Sequence, residues 1–390
     1  MKKLEKSVPV IRFKGFSEAW EQRKFIEIIN RLSKTSNSSI LPKVEYEDII
    51  AEEGRLNKDI SNKFDSRKGI LFQPKNILYG KLRPYLKNWL YPDFKGVAVG
   101  DFWVFEAIEA TPRFIYNLIQ SDSYQKVAND TAGTKMPRSD WTKVSNSSFF
   151  IPKESSEQKR IGTFFKQLDD TIALHQRKLD TLKQMKKGLL QQMFPKSEED
   201  VPKIRFADFD EEWYQRKLGE EFEKINERND GSFGKTHWIS VAKMYFVEPN
   251  KVLSNNIDTR TYVMRKGDIA FEGHSNTDFK FGRFVANDIG PGIVSELFPV
   301  YRHKTNYDNN YWKNAIQLEH IMAPIYSKSI TSSGNSSNKL DSKHFLNQKI
   351  YIADFEEQEK IGSIFKQLDN TIILYQNKLN KFDILKKAYL

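Results

Sequence analysis

EQKRIGTFFKQLDDTIALHQRKLDTLKQMKKGLL (157–190) returns two hundred positions later as EQEKIGSIFKQLDNTIILYQNKLNKFDILKKAYL (357–390), with 18 of 34 positions identical and no gap. In the first copy Ile161, Phe165, Leu168, Ile172, His175, Leu179, Leu182, Lys186, Leu189 and Met193 follow one another in steps of four and three. The second copy places Ile361, Phe365, Leu368, Ile372, Tyr375, Leu379, Phe382, Lys386 and Tyr389 in the same register. Alternating steps of four and three are the a/d seam of a heptad repeat. Such a seam is narrower than the apolar stripe of a helix lying on a globular core. The two stretches therefore predict long helices that pair with each other. Both seams are interrupted at the same places, by His175 or Tyr375 and by Lys186 or Lys386. Polar residues at such positions cost stability and fix register and partner.

A second repeat lies upstream. VPVIRFKGFSEAWEQRKF (8–25) returns as VPKIRFADFDEEWYQRKL (201–218), with 11 of 18 positions identical. The stretches between the repeated parts, about 26–156 and 219–356, do not resemble each other. The organisation is a frame met twice around two different inserts. A first globular domain covers 1–156 and a helix 157–196; a second domain covers 197–356 and a second helix 357–390. The first helix ends where the second insert begins, and the second helix starts where that insert ends. If the helices pair they run antiparallel, and their roughly 35 residues at 1.5 Å rise make a rod of about 50 Å. The expected fold is α+β: two mixed α/β globular domains separated by a long antiparallel two-helix coiled coil and related by a pseudo-twofold repeat.

Each insert reads as a mostly antiparallel sheet followed by helix. GILFQPKNILYGKLRPYLKNW (69–89), GVAVGDFWVFEA (96–107) and SSFFIP (147–152) carry the β-branched and aromatic residues of strands, with a helical patch at 113–130. In the second insert THWISVAKMY (236–245), YVMRKGDIAFEG (262–273), FGRFVAND (281–288), IVSELFPVYR (293–302) and KIYIAD (349–354) read as strands, and 309–330 as helix. Basic and aromatic side chains interleave in matching loops: Tyr79, Lys81, Arg83, Tyr85 and Lys87 in the first insert, His274, Asn276, Lys280 and Arg283 in the second. The polar turns after the helical patches add Lys135 and Arg138, then Asn335, Asn338 and Lys339. These residue types suit hydrogen bonds to base edges and phosphates, which makes them the candidate DNA contacts.

The 390 residues leave room for each insert to bury a core. A net charge of +11 and a pI near 9.3 point to a polyanionic partner, because neutralising phosphates is the main sequence-independent term in nucleic-acid binding. The absence of cysteine excludes disulfides and thiolate metal sites and fits a reducing cytoplasm. No apolar run approaches the ~18 residues of a membrane span, and MKKLEKSVPVIRF lacks the apolar stretch of a signal peptide. Catalytic signatures are also missing. Gly234-Lys235-Thr236 lacks the upstream glycine of a phosphate loop, since position 229 is Asn, and Gly290-Pro291-Gly292 reads as a turn. The six histidines (175, 237, 274, 303, 320, 344) have no ligand spacing. No N/D-P-P-Y/F tetrad is present to grip a flipped base, and Pro92-Asp93 has no acidic-x-Lys partner at short range. The chain reads as a recognition protein without catalytic or metal site residues of its own.

This layout resembles the specificity (S) subunits of type I restriction–modification systems. The resemblance is carried by the paired helices, by the boxes ending WEQRKF and WYQRKL, and by LYGKLRPYL (78–86) in the first insert. It implies two target-recognition domains, each reading one half of a bipartite double-stranded DNA site in the cytoplasm. It implies a helical pair that spaces them and docks two methyltransferase (M) subunits, with ATP-dependent restriction (R) subunits joining later. S-adenosylmethionine, ATP and Mg would belong to those partners, and this chain would bind no cofactor and no membrane. One departure is that the second helix ends at Leu390 without a counterpart of QQMFPK (191–196). The competing reading is a coiled-coil scaffold whose two heads bind proteins rather than DNA.

Overall fold

A computed structural model describes residues 9–131, 135–196, 201–253, 257, 260–333 and 337–390. Backbone contacts divide the chain into two compact units, Met1–Arg177 with Asn377–Leu390, and Lys178–Gln376. The boundary crosses two long helices, Ser155–Gln192 of 38 residues and Phe355–Tyr389 of 35 residues. Both begin two residues before the repeats quoted above.

In unit 1 a four-stranded antiparallel sheet orders Ile29–Leu32, Phe102–Ala107, Ile77–Gly80 and Trp89–Leu90. A second sheet orders Thr35–Ser36, Gly69–Phe72, Gly96–Ala98 and Lys43–Val44, whose last pairing is parallel. The first sheet is buried on both faces. Ile77, Tyr79, Trp103 and Phe105 pack with Phe25, Tyr124 and Phe149 on the helical side, while Leu78, Phe102 and Val104 pack with Val44 and Phe72 on the other. That is why the strands are continuous apolar runs instead of alternating. The helical patch becomes two helices, Pro112–Leu118 and Asp122–Ala128, because Ser121 interrupts it and caps the second by accepting from the Tyr124 amide.

Unit 2 repeats the plan in other letters. Phe222–Ile225, Val300–His303, Ile269–Glu272 and Arg283–Ala286 form the antiparallel sheet, and Thr261–Met264 pairs with Gly292–Ser295. Its helices are Asn309–Ala315, Glu319–Ser329 and Ser342–Asn347. The expected strand over 236–245 is only Ile239–Ser240, paired with Tyr245–Phe246 around a turn.

The repeated boxes do the same work in each unit. WEQRKF supplies the strand Glu21–Lys24, which pairs antiparallel with Ser148–Ile151; WYQRKL supplies Tyr214–Lys217, which pairs with Lys349–Ile352 in the same register. The box arginine and tryptophan then close on the first turn of the long helix. Arg12 binds both oxygens of Glu157 at 2.7 Å, and the Trp20 indole N–H donates to Glu157 at 3.3 Å. In unit 2 Arg205 binds Glu357 at 3.0 and 2.8 Å, and Trp213 donates to it at 2.9 Å. The next residue is also shared: Gln158 accepts from the Thr111 amide and donates to the Pro152 carbonyl, and Gln358 does the same with Asp308 and Ala353. Gly162 and Gly362 follow because the insert helices approach there. A Cβ at Gly162 would come within 2.8 Å of Arg113 Cγ, and one at Gly362 would collide with the Asp308 carboxylate.

The seam residues are mostly buried or half-buried: Ile161, Phe165, Leu168, Ile172, Leu179 and Leu182 in the first helix, Ile361, Phe365, Leu368, Ile372, Leu379 and Phe382 in the second. Within unit 1, Phe164 meets Tyr389, Asp169 meets Lys386 and His175 meets Phe382. Within unit 2, Lys178 meets Tyr375 and Lys186 meets Asp369. As one residue number rises its partner's falls, so the segments run antiparallel in each unit. The seam lysines are accounted for: Lys186 pairs with Asp369 at 2.6 Å and Lys386 with Asp169 at 2.8 Å. These are the same pair in the two copies of the repeat.

Candidate nucleic-acid interface

In unit 1 the strand Ile77–Gly80 ends in a loop whose centre is the single 3₁₀ turn Pro84–Leu86. The residues on either side, Arg83 (φ 49°) and Lys87 (φ 54°), are both left-handed, a conformation that costs a side-chain-bearing residue of order 1 kcal/mol or more. Surrounding bonds impose it. The Arg83 amide donates to the Pro137 carbonyl at 2.7 Å, Leu86 to Arg83 at 2.8 Å, and the Glu52 amide to the Lys87 carbonyl at 3.0 Å. The turn holds Tyr85 (56 % exposed) and Leu86 (39 %) out in solvent.

The polar turn at 135–139 lies against this loop, with Leu82 bridged to Arg138 and the Ser139 amide donating to the Lys81 carbonyl. Asp101 sits between the two. Arg138 binds it at 2.9 Å and Lys81 at 3.6 Å, and the Arg138 bond holds its carboxyl below the usual carboxylate range. Tyr46 braces the same point, donating to the Asp101 carbonyl at 2.6 Å and accepting from the Leu82 amide. Lys87 is ion-paired with Glu52 at 3.0 Å. Among the described residues nothing pairs with the exposed guanidinium of Arg83 or the ammonium of Lys135. The arrangement is a cationic rim with an aromatic tip, suited to phosphates and base edges.

Tyr79 does not belong to it. The expectation that it contacts DNA is corrected by its place in the core, 0 % exposed, stacked on Trp103 and edge-on to Tyr124. Burial pushes its hydroxyl pKa up to about 12. Strand alternation puts it on the same face as Ile77, and in this doubly buried strand neither face is wet.

In unit 2 the equivalent loop follows Ile269–Glu272, and the equivalent turn again lies against it, with the Asn338 amide donating to the Gly273 carbonyl at 2.9 Å. His274 is exposed and bonded through Nδ1 to the buried Glu272 carboxylate. Asn276 is a turn-former whose side-chain oxygen accepts from the Asp278 and Phe279 amides. Arg283 is half-buried: its Nη2 donates to the Ala242 carbonyl at 2.5 Å and its guanidinium lies over Phe279. Lys280 and Lys339 are exposed. Asn335 lies outside the described residues.

Sequence reasoning missed Asp101 and Tyr46, which organise the first rim. Their only signal was the Gly100-Asp101 break between two strand-like runs. Among the described residues no group of acidic or histidine side chains could hold a metal ion, and no helix is long and apolar enough to cross a membrane.

Comparison with known proteins now bears on this geometry. Residues 17–184 match the family described as type I restriction modification DNA specificity domain. The type I restriction–modification S subunit from M. genitalium has a similar structure, with a TM-score of 0.61, 13 % identity, and coverage of 99 % of this chain and 98 % of that one. A structure described as the basis of complex assembly and conformational transition of the type I R-M system gives 0.54 at 17 % identity, covering 98 % of each chain. The HsdS subunit from Thermoanaerobacter tengcongensis gives 0.46 at 18 % identity, covering 95 % of each. No curated protein sequence matches the chain. Residues 17–184 thus resemble the type I restriction modification DNA specificity domain family, and the chain carrying them has a fold similar to that of the S subunit.

Proposed function

We propose that this chain directs a type I restriction–modification complex to a bipartite double-stranded DNA target. Each unit reads one half-site through the paired loop and turn described above. The long helices, as an antiparallel coiled coil, set the distance between half-sites. At 1.5 Å per residue, 38 residues correspond to about 57 Å. Two M subunits dock on the helical pair and R subunits join them; S-adenosylmethionine, ATP and Mg belong to those partners. Apolar side chains left exposed on the helices, such as Leu174 and Leu385 in unit 1 and Met185 and Leu374 in unit 2, support a docking role, since exposed apolar patches mark interaction surfaces.

The observation that carries this reading is the repeated clamp. Arg12, Trp20 and Glu157 recur as Arg205, Trp213 and Glu357 around inserts that share a plan but not their exposed loop residues. A frame kept constant around variable cationic loops is what two independent readers need. The test is exchange of residues 26–156 for the corresponding insert of another S subunit, followed by sequencing of methylated sites in cells that also carry the M subunit. One half of the methylated motif should change while the other half and the gap stay. A motif that changed in both halves would overturn the two-reader assignment.

A further inference from the structure

A short hairpin in unit 2 holds two exposed side chains in a fixed place beside the loop at 273–282. Ile239–Ser240 and Tyr245–Phe246 pair around Val241-Ala242-Lys243-Met244. The Ser240 carbonyl accepts from the Met244 amide at 2.7 Å and from the Lys243 amide at 3.3 Å, and Met244 is left-handed (φ 47°). That conformation costs a residue with a side chain of order 1 kcal/mol, and packing imposes it. Val241 is buried in a core with Ile239, Met264 and Val294, and Met244 packs against the same cluster. With those two side chains turned inward, Lys243 and Tyr245 are left outside, Tyr245 being 47 % exposed. Among the described residues nothing pairs with the Lys243 ammonium.

Unit 1 has a segment in the same place. There Lys43–Val44 runs parallel to Gly96–Ala98, and Tyr46 then reaches the Asp101 carbonyl and the Leu82 amide at the foot of the exposed loop. In unit 2 Trp238 bridges in parallel to Ile293, and the hairpin after it is tied to the foot of the equivalent loop by Arg283, through the Ala242 carbonyl. The two segments differ in what they show to water. Tyr46 is half-buried with its hydroxyl bonded on both sides, whereas Tyr245 stands in solvent. The loops differ in the opposite sense. Unit 1 has the exposed Tyr85 and Arg83 on its loop, while in unit 2 Phe279 lies under the Arg283 guanidinium and Phe281 is half-buried. Each unit thus exposes a tyrosine beside a cation, one on the loop and the other on the neighbouring hairpin.

We propose that Lys243 and Tyr245 are the tip of the DNA-reading surface of unit 2, Lys243 meeting a backbone phosphate and Tyr245 the base edges beside it. This assignment rests on the reading of each unit as a half-site reader. An ammonium supplies the charge that a phosphate needs, and a tyrosine ring offers a groove both an apolar edge and a hydroxyl.

The test uses the full chain in complex with its M subunits, with duplex affinity measured across a salt series and methylated sites sequenced. The half of the motif that survives exchange of residues 26–156 is the half assigned to unit 2. Lys243→Ala should weaken binding to every sequence by about tenfold and lower the salt slope by about one. Tyr245→Ala should relax a position in the unit 2 half-site alone and leave the salt slope as it is. Both variants should melt with the parent, because the two side chains stand in solvent. Parent-like affinity, slope and motif in both would overturn the assignment while leaving each unit its half-site. A Lys243→Glu chain that lost its M subunits would overturn it too, since the hairpin would then be a protein-docking face. A parent complex that bound no duplex would overturn the half-site reading itself, and this assignment with it.

Discussion

Glu157 in unit 1 and Glu357 in unit 2 are each 1 % exposed beneath an arginine and a tryptophan that differ between the units only in number. Asp101 and Glu272, the acidic groups beside the two exposed loops, meet different company: two cations in the first case, a histidine in the second. The contrast separates two kinds of electrostatics. A carboxylate buried under a bidentate guanidinium has its bonding capacity filled, so no partner can change without leaving a charge unpaired in a dry place. A partly exposed carboxylate such as Asp101 tolerates replacement of what it holds, because exposed pairs contribute little. The frame carries the same buried ion pair in both units, whereas Asp101 and its two cations are partly wet.

The largest effect should come from breaking the buried side of that comparison. Glu357→Ala leaves Arg205 without its partner and should destabilise unit 2 by about 3–5 kcal/mol, measured by urea unfolding. Glu157→Ala should act on unit 1 in the same direction. If Glu357→Ala cost less than an ordinary surface substitution, the clamp would not be what holds box and helix together.

Next in size is the exposed side, where the two loop arginines should part. Arg83→Ala should leave the melting temperature unchanged and weaken binding to one half-site by ~1–3 kcal/mol if it reads a base edge, or weaken all sequences alike if it meets a phosphate. Arg283→Ala should instead lower the stability of unit 2 slightly, since it removes the packing of the guanidinium on Phe279 along with the bond to Ala242. Binding curves and thermal melts on the same two proteins would settle it; identical behaviour would erase the distinction.

The smallest effect concerns a residue only one unit has. His303 stands opposite Phe222 in the unit 2 ladder, where the unit 1 ladder has Ala107 opposite Ile29. It stacks on Tyr307 at 3.8 Å, and burial pulls its pKa down to about 3. Above about pH 6.5 the ring is neutral in both folded and unfolded chains and adds no pH dependence. As pH falls below that, the unfolded chain takes a proton the folded one refuses, so unit 2 loses stability progressively toward pH 3. His303→Phe should flatten this loss between pH 6.5 and 5 in a melting series. An unchanged slope would mean the ring is wetter than its packing implies.

The repeat made the frame legible from sequence, because 18 identities over 34 helix positions and 11 over 18 box positions do not arise from composition alone. The seam period gave both helices to within two residues at their starts. What joins them was not legible: Arg12 and Glu157 are 145 residues apart, and only their joint reappearance as Arg205 and Glu357 hinted at a contact. The polar turns at 131–141 and 332–345 concealed the short helices Trp141–Asn146 and Ser342–Asn347, whose signal is the capping aspartate before each, Asp140 and Asp341. Tyr79 misled because LYGKLRPYL runs from core to surface without a change in composition. Only the sheet's second buried face places the border after Gly80. Lys81, Arg83 and Arg138 came from charge alone, and the fold brings the three together at Asp101 and the Pro137 carbonyl.

The ladder between Glu21–Lys24 and Ser148–Ile151 has a consequence for the size of what it closes. It works like the neck of a purse: everything between Lys24 and Ser148 leaves and returns through one four-residue seam. Loop closure grows only with the logarithm of length, so doubling the enclosed chain costs about 0.6 kcal/mol. The neck is therefore nearly blind to its contents, and a longer or shorter insert can hang from it without loosening the stitch.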